Sequence, residues 1–478
     1  MSQELKTKRG LRNPMLSYLL ETDDLEPALA KVAWEIASID RRYEPMADAS
    51  ATADAFLDLM RQNIFWPAPL MLLNATDKQP LLASHVALPL NDNFEIIFDT
   101  LKRTTTLSQQ EIQVALDFSS LRAARSSITS SHAQSAGPVK FMQLFQNVPQ
   151  PPDTLTPMRF QLAVDHADIQ DYLAYVLKAP GHIRCAVGLT HDFLVALQAG
   201  KTYTINSRSS TSAIKTLPAA DIFKAIVKIL GKRLPIDFLF LDNLERLRLR
   251  ARLPESMLLN GQNQLVTTSE LMMTGTFNPT PFVVDGDIKL KAFEQALLHA
   301  VHFLDNAIEH QHYADTLLQS PTQRYRRLGI SFIGLDAYLS AVLGRRRSAE
   351  TDARALARLI DTAHMSLIKA SQTLGHLRGM HNRIRYRSAW HETRHAQLLA
   401  QIHQPLLCQI ADTPAYLFKR EMKLSDFFGM YPLHKLWQEG LGNVASLKHP
   451  IKALDPETFS RVLFSLHEAG LPTLELMN

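Results

Sequence analysis

Residues 85–101, HVALPLNDNFEIIFDTL, decide how the rest of the chain is read. The apolar run at 86–90 has the length and composition of a buried strand. Two more runs of this kind, AVGLT around Val187 and DFLFLD at 237–242, extend the pattern downstream. Between and after them, apolar spacing predicts helices over 167–178, 218–231, 288–310, 326–343 and 351–376. Short buried strands alternating with longer helices give an α/β fold from about residue 80.

Upstream, LEPALAKVAWEIASIDRRY repeats apolar side chains at Leu29, Val32, Ala33, Ile36 and Ile39, the i, i+3, i+4, i+7 spacing of an amphipathic helix. The chain therefore divides into a helical N-terminal region at 1–79, the α/β region at 80–380, and a mostly helical C-terminal region at 381–478 without an obvious strand. NVPQPPDTLTP at 147–157 and NSRSSTSA at 206–213 interrupt the pattern as loops. No internal repeat stands out.

The 478 residues are 46% hydrophobic and 21% charged, with a formal net charge of +4. That is a globular composition whose slight basic excess does not call for nucleic acid as a partner. The start, MSQELKTKRGLRNPMLSYLLETDD, lacks the apolar core of a signal peptide, and no window approaches a membrane span, so a cytoplasmic protein is expected. The two cysteines, Cys185 and Cys408, stand far apart and outside any CxxC pair; both read as buried small hydrophobes.

Four further stretches carry family texture in the same order: LDFSSLRAARSSITSSHAQSAGPVKFMQLF at 116–145, VDHADIQDYL at 164–173, VHFLDNAIE at 301–309 and RRLGISFIGLDAYL at 326–339. With the stretch at 85–101, they resemble the large catalytic subunit of ribonucleotide reductases, and most closely its adenosylcobalamin-dependent class. The matching positions include Leu121, Arg122, Gly137, Pro138, Val139, Phe141 and Met142, then Arg326, Arg327, Gly329, Gly334 and Leu335. The resemblance implies a ten-stranded α/β barrel preceded by a helical region. It also implies a homodimer built around an effector-nucleotide region, here at Arg122, Arg125 and Gly137.

The same resemblance argues against the family's reaction. Reduction of a ribonucleotide needs a thiyl radical and, in the thiol-dependent classes, two more cysteines that oxidise to a disulfide; this chain has two cysteines in all. His85 stands where the family has its first redox cysteine. In LNGQNQLVTTSELMMTGTFNP (259–279), anchored on Glu270, Gly275, Thr276 and Asn278, the radical cysteine falls on Gly261, the acid/base glutamate on Asn263 and the second redox cysteine on Met272. An amide is no general acid or base near neutral pH, and a thioether forms no disulfide.

Substrate-binding features are also altered. Ile112, Gln113 and Ala115 replace a glycine-rich turn through which the family's backbone approaches substrate, and their side chains close that approach. No phosphate-binding PTGTIS-like segment follows residue 376, and the end, GLPTLELMN, has neither a CxxC shuttle nor a glycyl-radical loop. No ATP-cone region is recognisable. Ser84 aligns with a substrate-contacting serine, although a surface or capping serine explains it as well.

Three other constellations bear on function. HETRH at 391–395 has the HExxH spacing of a zinc helix, with His391 and His395 as candidate ligands, but Arg394 and the arginines at 383, 385 and 387 suit a solvated face better. His299, His302, Asp305, Glu309, His310 and His312 cluster on the stretch matched to the family's VRFLDN helix, where polar residues are structural. In the basic clusters at 246–253, 344–349 and 382–387 interleaved aromatics are sparse, so they resemble exposed helix and strand faces more than a nucleic-acid platform.

The expectation is a degenerate reductase homologue, a pseudoenzyme acting through a nucleotide or a protein partner such as a true reductase or a radical-generating subunit. Cobalamin and a membrane are not expected. The alternative is an active enzyme with altered chemistry, using His85, Asn263 and Ser84, or a metal hydrolase using His391, Glu392 and His395.

Overall fold

In the computed structural model of the chain, the run around Val86 is the strand His85–Leu88, paired in parallel with Gln113–Asp117. The structure describes residues 25–128, 133–150, 157–208, 213–232, 236–250, 257–261, 264–313, 315–344, 347–380, 393–400, 402, 407–408, 411, 446–450 and 455–477. Contacts divide the chain into two units, Met1–Ala83 with Met272–Asp426, and Ser84–Leu271 with Phe427–Asn478.

The second unit is built on a seven-stranded sheet. Five strands run parallel in the order Ile236–Phe240, Ile183–Leu189, Met158–Ala163, Gln113–Asp117 and His85–Leu88. Thr473–Met477 adds to Ile236–Phe240 in the antiparallel sense, and Ser446–Pro450 pairs with it in parallel. The last hundred residues, expected without a strand, thus supply two. Thr473–Met477 is five residues long and owes its strand pairing to the remote Ile236–Phe240.

Side chains alternate across this sheet. Phe160, Leu162, Cys185, Val187, Phe238 and Phe240 point to one face and are buried. The helices Ile169–Val176 and Pro456–Glu468 cover it: the Tyr172 hydroxyl lies 3.0 Å from the Phe160 carbonyl and 2.8 Å from that of Ala186, and the Phe238 ring packs edge-on against Phe459. By alternation and strand register the opposite face bears His85, Gln113, Asp117, Arg159, Gln161, Arg184 and Asp237.

The first unit contains a three-stranded sheet in which Met273–Phe277 lies between Phe65–Pro67, antiparallel, and Leu328–Phe332, parallel. The expected helix at 25–43 is present as Leu25–Ala37 with a 3-10 turn Ser38–Arg42, and Leu29, Val32, Ala33, Ile36 and Ile39 are all buried. The helices Leu290–His310 and Ala349–Arg378 match the expected spans closely. The expected helix over 326–343 does not form as one element. Leu328–Phe332 is a strand, buried throughout, and the helix begins only at Leu335, after Gly334 turns the chain at φ 67°.

The fold class is therefore mixed α/β. Among the described residues the strands pair into sheets of seven and three with three two-stranded ribbons, and no hydrogen-bonded closure into a ten-stranded barrel is present. Among the described residues no helix is long and apolar enough to cross a membrane.

Candidate functional site on the polar face of the large sheet

The polar face is roofed by one hairpin. Strands Met257–Leu259 and Leu265–Thr267 pair antiparallel, and Leu259 and Leu265 pack on Ala186 and Leu239 of the sheet, with Leu241, Leu244 and Leu247 of the helix Leu241–Arg250 alongside. Gly261 sits in the turn of this hairpin. A Cβ there would collide with the Gln113 side-chain amide and stand 2.9 Å from His85 Cδ2. Gly261 and His85, predicted as two lost cysteine positions, are thus brought together, and Gln113 fills the space between them.

Gln113 is buried, and its Nε2 donates to the Pro157 carbonyl. Its Oε1 finds no hydrogen-bond partner among the described residues. The Gln113 side-chain amide is wedged under the hairpin. Its neighbour Ala115 is buried on the same face, and Ile112 is buried at the start of the strand.

His85 keeps part of its ring at the surface, but packing around it pushes its pKa down to about 3. It is neutral at neutral pH. Its Nδ1 lies 2.5 Å from Ser84 Oγ, and the Ser84 carbonyl accepts from the Gln113 backbone N–H at 2.7 Å. Ser84 is neither a helix cap nor a free surface group; it is partnered by the histidine beside it.

Further along the face, Arg184 grips Asp237 with two hydrogen bonds of 2.8 and 2.7 Å, and the fully buried Arg159 lies 3.6 Å from the same carboxylate. Arg159 Nη1 also donates to the Asn260 carbonyl at 3.3 Å, tying the hairpin to the sheet. Burial raises the pKa of Asp117, which accepts from the Ser119 backbone and from Gln161 Nε2, each at 2.9 Å. The signal for these residues was available in the alternation of MRFQLA and IRCAVGL, but the apolar half of each run masks it. The open space left here is about 150 Å³, between Asp117, Arg159, Gln161, Glu245, Arg248 and the hairpin leucines. Pockets that take drug-sized ligands start at roughly 300 Å³.

No thiol takes part. Cys185 points to the helix-covered face, where burial pushes it up to about 12, and Cys408 is buried in the other unit. Met272, the second lost redox position, also lies in the other unit; it is buried, with its sulfur accepting from Gln397 Nε2 at 3.7 Å. Asn263 lies outside the described residues.

The expected effector region gathers into one loop cluster. Arg122 pairs with Asp92 at 2.6 Å, and Arg125 holds a left-handed backbone, φ 65°, with its N–H on the Ser135 carbonyl. Gly137 has φ 78°, and a Cβ there would meet Ala124 and the Asp168 carboxylate at 2.7 Å, so a glycine is required. Arg122, Arg125 and Gly137 are therefore neighbours.

The solvated helix face expected for HETRH is corrected, because Thr393, Arg394 and His395 are buried. His391 and Glu392 lie outside the described residues, and the stretch 393–400 is not helical. His395 is fully buried with both ring nitrogens engaged, Nδ1 with Ser371 Oγ at 2.8 Å and Nε2 with Asp305 Oδ1 at 3.1 Å. Asp305 is the hub of an ion network. Burial alone would raise its pKa, but Arg326, His395 and Arg394 hold it well below the usual carboxylate range. Arg378 joins Asp305 to Asp40, and His302 contacts Asp40 at 2.8 Å. On the helix Leu290–His310, His302 thus contacts Asp40, while Asp305 and Glu309 both pair with Arg326.

Residues 83–233 match the family described as "Ribonucleotide reductase, barrel domain". A "Vitamin B12-dependent ribonucleoside-diphosphate reductase" of Mycobacterium tuberculosis (strain ATCC 25618 / H37Rv) is 27% identical over 382 residues, 76% of this chain and 53% of the relative. A protein of the same name from Thermoplasma acidophilum is 24% identical over 345 residues, 68% of this chain and 43% of that protein. The chain spans about half the length of the curated relatives it matches.

Proposed function

We propose that this chain, which belongs to the ribonucleotide reductase large-subunit family, is a catalytically degenerate homologue that acts by binding and does not reduce ribonucleotides. One observation carries the reading: at Gly261, where the resemblance puts the radical cysteine, the Gln113 amide and the His85 ring fill the space a side chain would need. Hydrogen abstraction from a ribose needs a thiyl sulfur there. Radical transfer from adenosylcobalamin, which the relatives' names imply for them, would have to end on a thiol at this point. Glycine and imidazole have no S–H bond, so the residues present do not fit that cofactor.

The ligand under this reading is a nucleotide at the loop cluster of Arg122, Arg125 and Gly137, or a protein partner such as a true reductase or a radical-generating subunit. The closed ten-stranded barrel, the homodimer and a cytoplasmic location belong to the same proposal. The test supplies purified protein with ribonucleoside diphosphates or triphosphates, a dithiol, and either adenosylcobalamin or a radical-generating subunit. No deoxynucleotide is expected, and calorimetry on the same preparation reads saturable nucleotide binding that weakens in Arg122→Ala. Deoxynucleotide formation above a protein-free control sinks the proposal.

The contact between Ser84 Oγ and His85 Nδ1 favours a second reading, an enzyme of altered chemistry with a serine and histidine pair. A pKa pushed down to about 3 makes His85 a weak base for that task at neutral pH. The binding reading is the stronger one.

A further inference from the structure

The second unit carries a cluster that the reductase-like face does not use. His191 opens the helix His191–Gln198 immediately after its capping Thr190, while His467 and Glu468 close the helix Pro456–Glu468. His191 Nδ1 lies 3.0 Å from His467 Nε2, and one ligand atom from each of His191, His467 and Glu468 falls within 4.8 Å of the others. The Asp242 carboxylate is adjacent, accepting the His191 backbone N–H at 2.6 Å.

Two imidazole nitrogens facing each other form one edge of a coordination tetrahedron. With metal–nitrogen bonds of about 2.0–2.1 Å that edge is about 3.3 Å, so the observed separation needs an adjustment of only a few tenths of an ångström. Without a cation, only one of the two nitrogens can bring a proton to the contact. His467 is fully buried, and its Nε2, the nitrogen that faces His191, is the atom that would ligate; its Nδ1 has no hydrogen-bond partner among the described residues.

The surrounding charge suits a cation as well. The site adjoins the C-terminal end of a 13-residue helix, where the backbone dipole is negative, and the N-terminal end of the shorter helix His191–Gln198, where it is positive, so the carboxylates decide the balance. Glu468 and Asp242 bring two negative charges to set against a divalent ion, with Arg246 the nearby cation. Two imidazoles with carboxylate oxygen select zinc-like ions over calcium or magnesium, which prefer all-oxygen shells.

We propose that His191, His467 and Glu468 bind a zinc-class divalent cation that pins the C-terminal helix Pro456–Glu468 to the helix His191–Gln198. The strand Thr473–Met477 follows that helix and pairs with Ile236–Phe240, so the ion anchors the end of the chain to the sheet.

The test uses the full chain, purified without a histidine tag, stripped of metal and titrated with Zn²⁺ against a chromophoric chelator. One equivalent should bind, with affinity reduced at least about tenfold in His191→Ala and in Glu468→Ala, and unchanged in His391→Ala. Zn²⁺ should raise the thermal midpoint of the unaltered protein and not that of His191→Ala. Because His191 is exposed, that variant is expected to keep the circular dichroism of the parent, which separates loss of a ligand from loss of fold. Equal affinities for the parent and His191→Ala, loss of binding only in His391→Ala, or no stoichiometric zinc would each overturn the site.

Discussion

Gly261 is the residue at which packing and chemistry meet. An added methyl group has nowhere to go, because the Gln113 amide occupies that space and His85 stands on the other side. Gly261→Ala is expected to destabilise the protein by about 1–3 kcal/mol through overpacking, read as a lower urea midpoint at constant slope. Gln113→Ala in the same chain should recover part of that loss, since the two side chains compete for one volume. A stability unchanged by Gly261→Ala would mean that the hairpin turn does not press on the sheet as described. His85 and Gly261 were legible as departures from a family pattern. That Gln113 is the group wedged between them depends on strand register, which residue identities do not carry.

At the scale of elements, the helix Leu290–His310 could be read from apolar spacing alone, whereas the partners of its Asp305 could not. Those partners, Arg326, Arg378, Arg394 and His395, arrive from distant segments. Asp305→Asn leaves buried guanidinium groups without their counter-charge and should cost about 3–5 kcal/mol. The sign of the pH effect follows from the depressed pKa of Asp305. Its stabilisation is complete above the ordinary carboxylate pKa and is lost as pH falls through that range toward the lower folded value, because the unfolded chain takes up the proton first. Urea midpoints measured from pH 7 down to acid should fall more steeply for the parent than for Asp305→Asn. Parallel curves would remove Asp305 as an acid-sensitive group. The stretch 326–343 misleads for a related reason: LGISFIGLDAYL is apolar at both the helical and the strand period. Its first half becomes a strand because Met273–Phe277 offers a parallel edge for it.

For the whole molecule, the proposed homodimer predicts a light-scattering mass of twice the 53.8 kDa chain at micromolar concentration, and a monomer mass there would count against it. Residue identities and their order carry the α/β class, the resemblance to the ribonucleotide reductase large subunit and the count of two cysteines. These depend on which residues occur and in what order, and apolar periodicity and collinear motifs preserve that information. Only the tertiary structure decided that Gln113 closes the space beside Gly261, that His395 serves Asp305 and not a zinc helix, and that His191 faces His467 across a gap of 276 positions. Those pairings arise where strands and helices from remote parts of the chain pack together, and local spacing holds no record of which remote surfaces will meet.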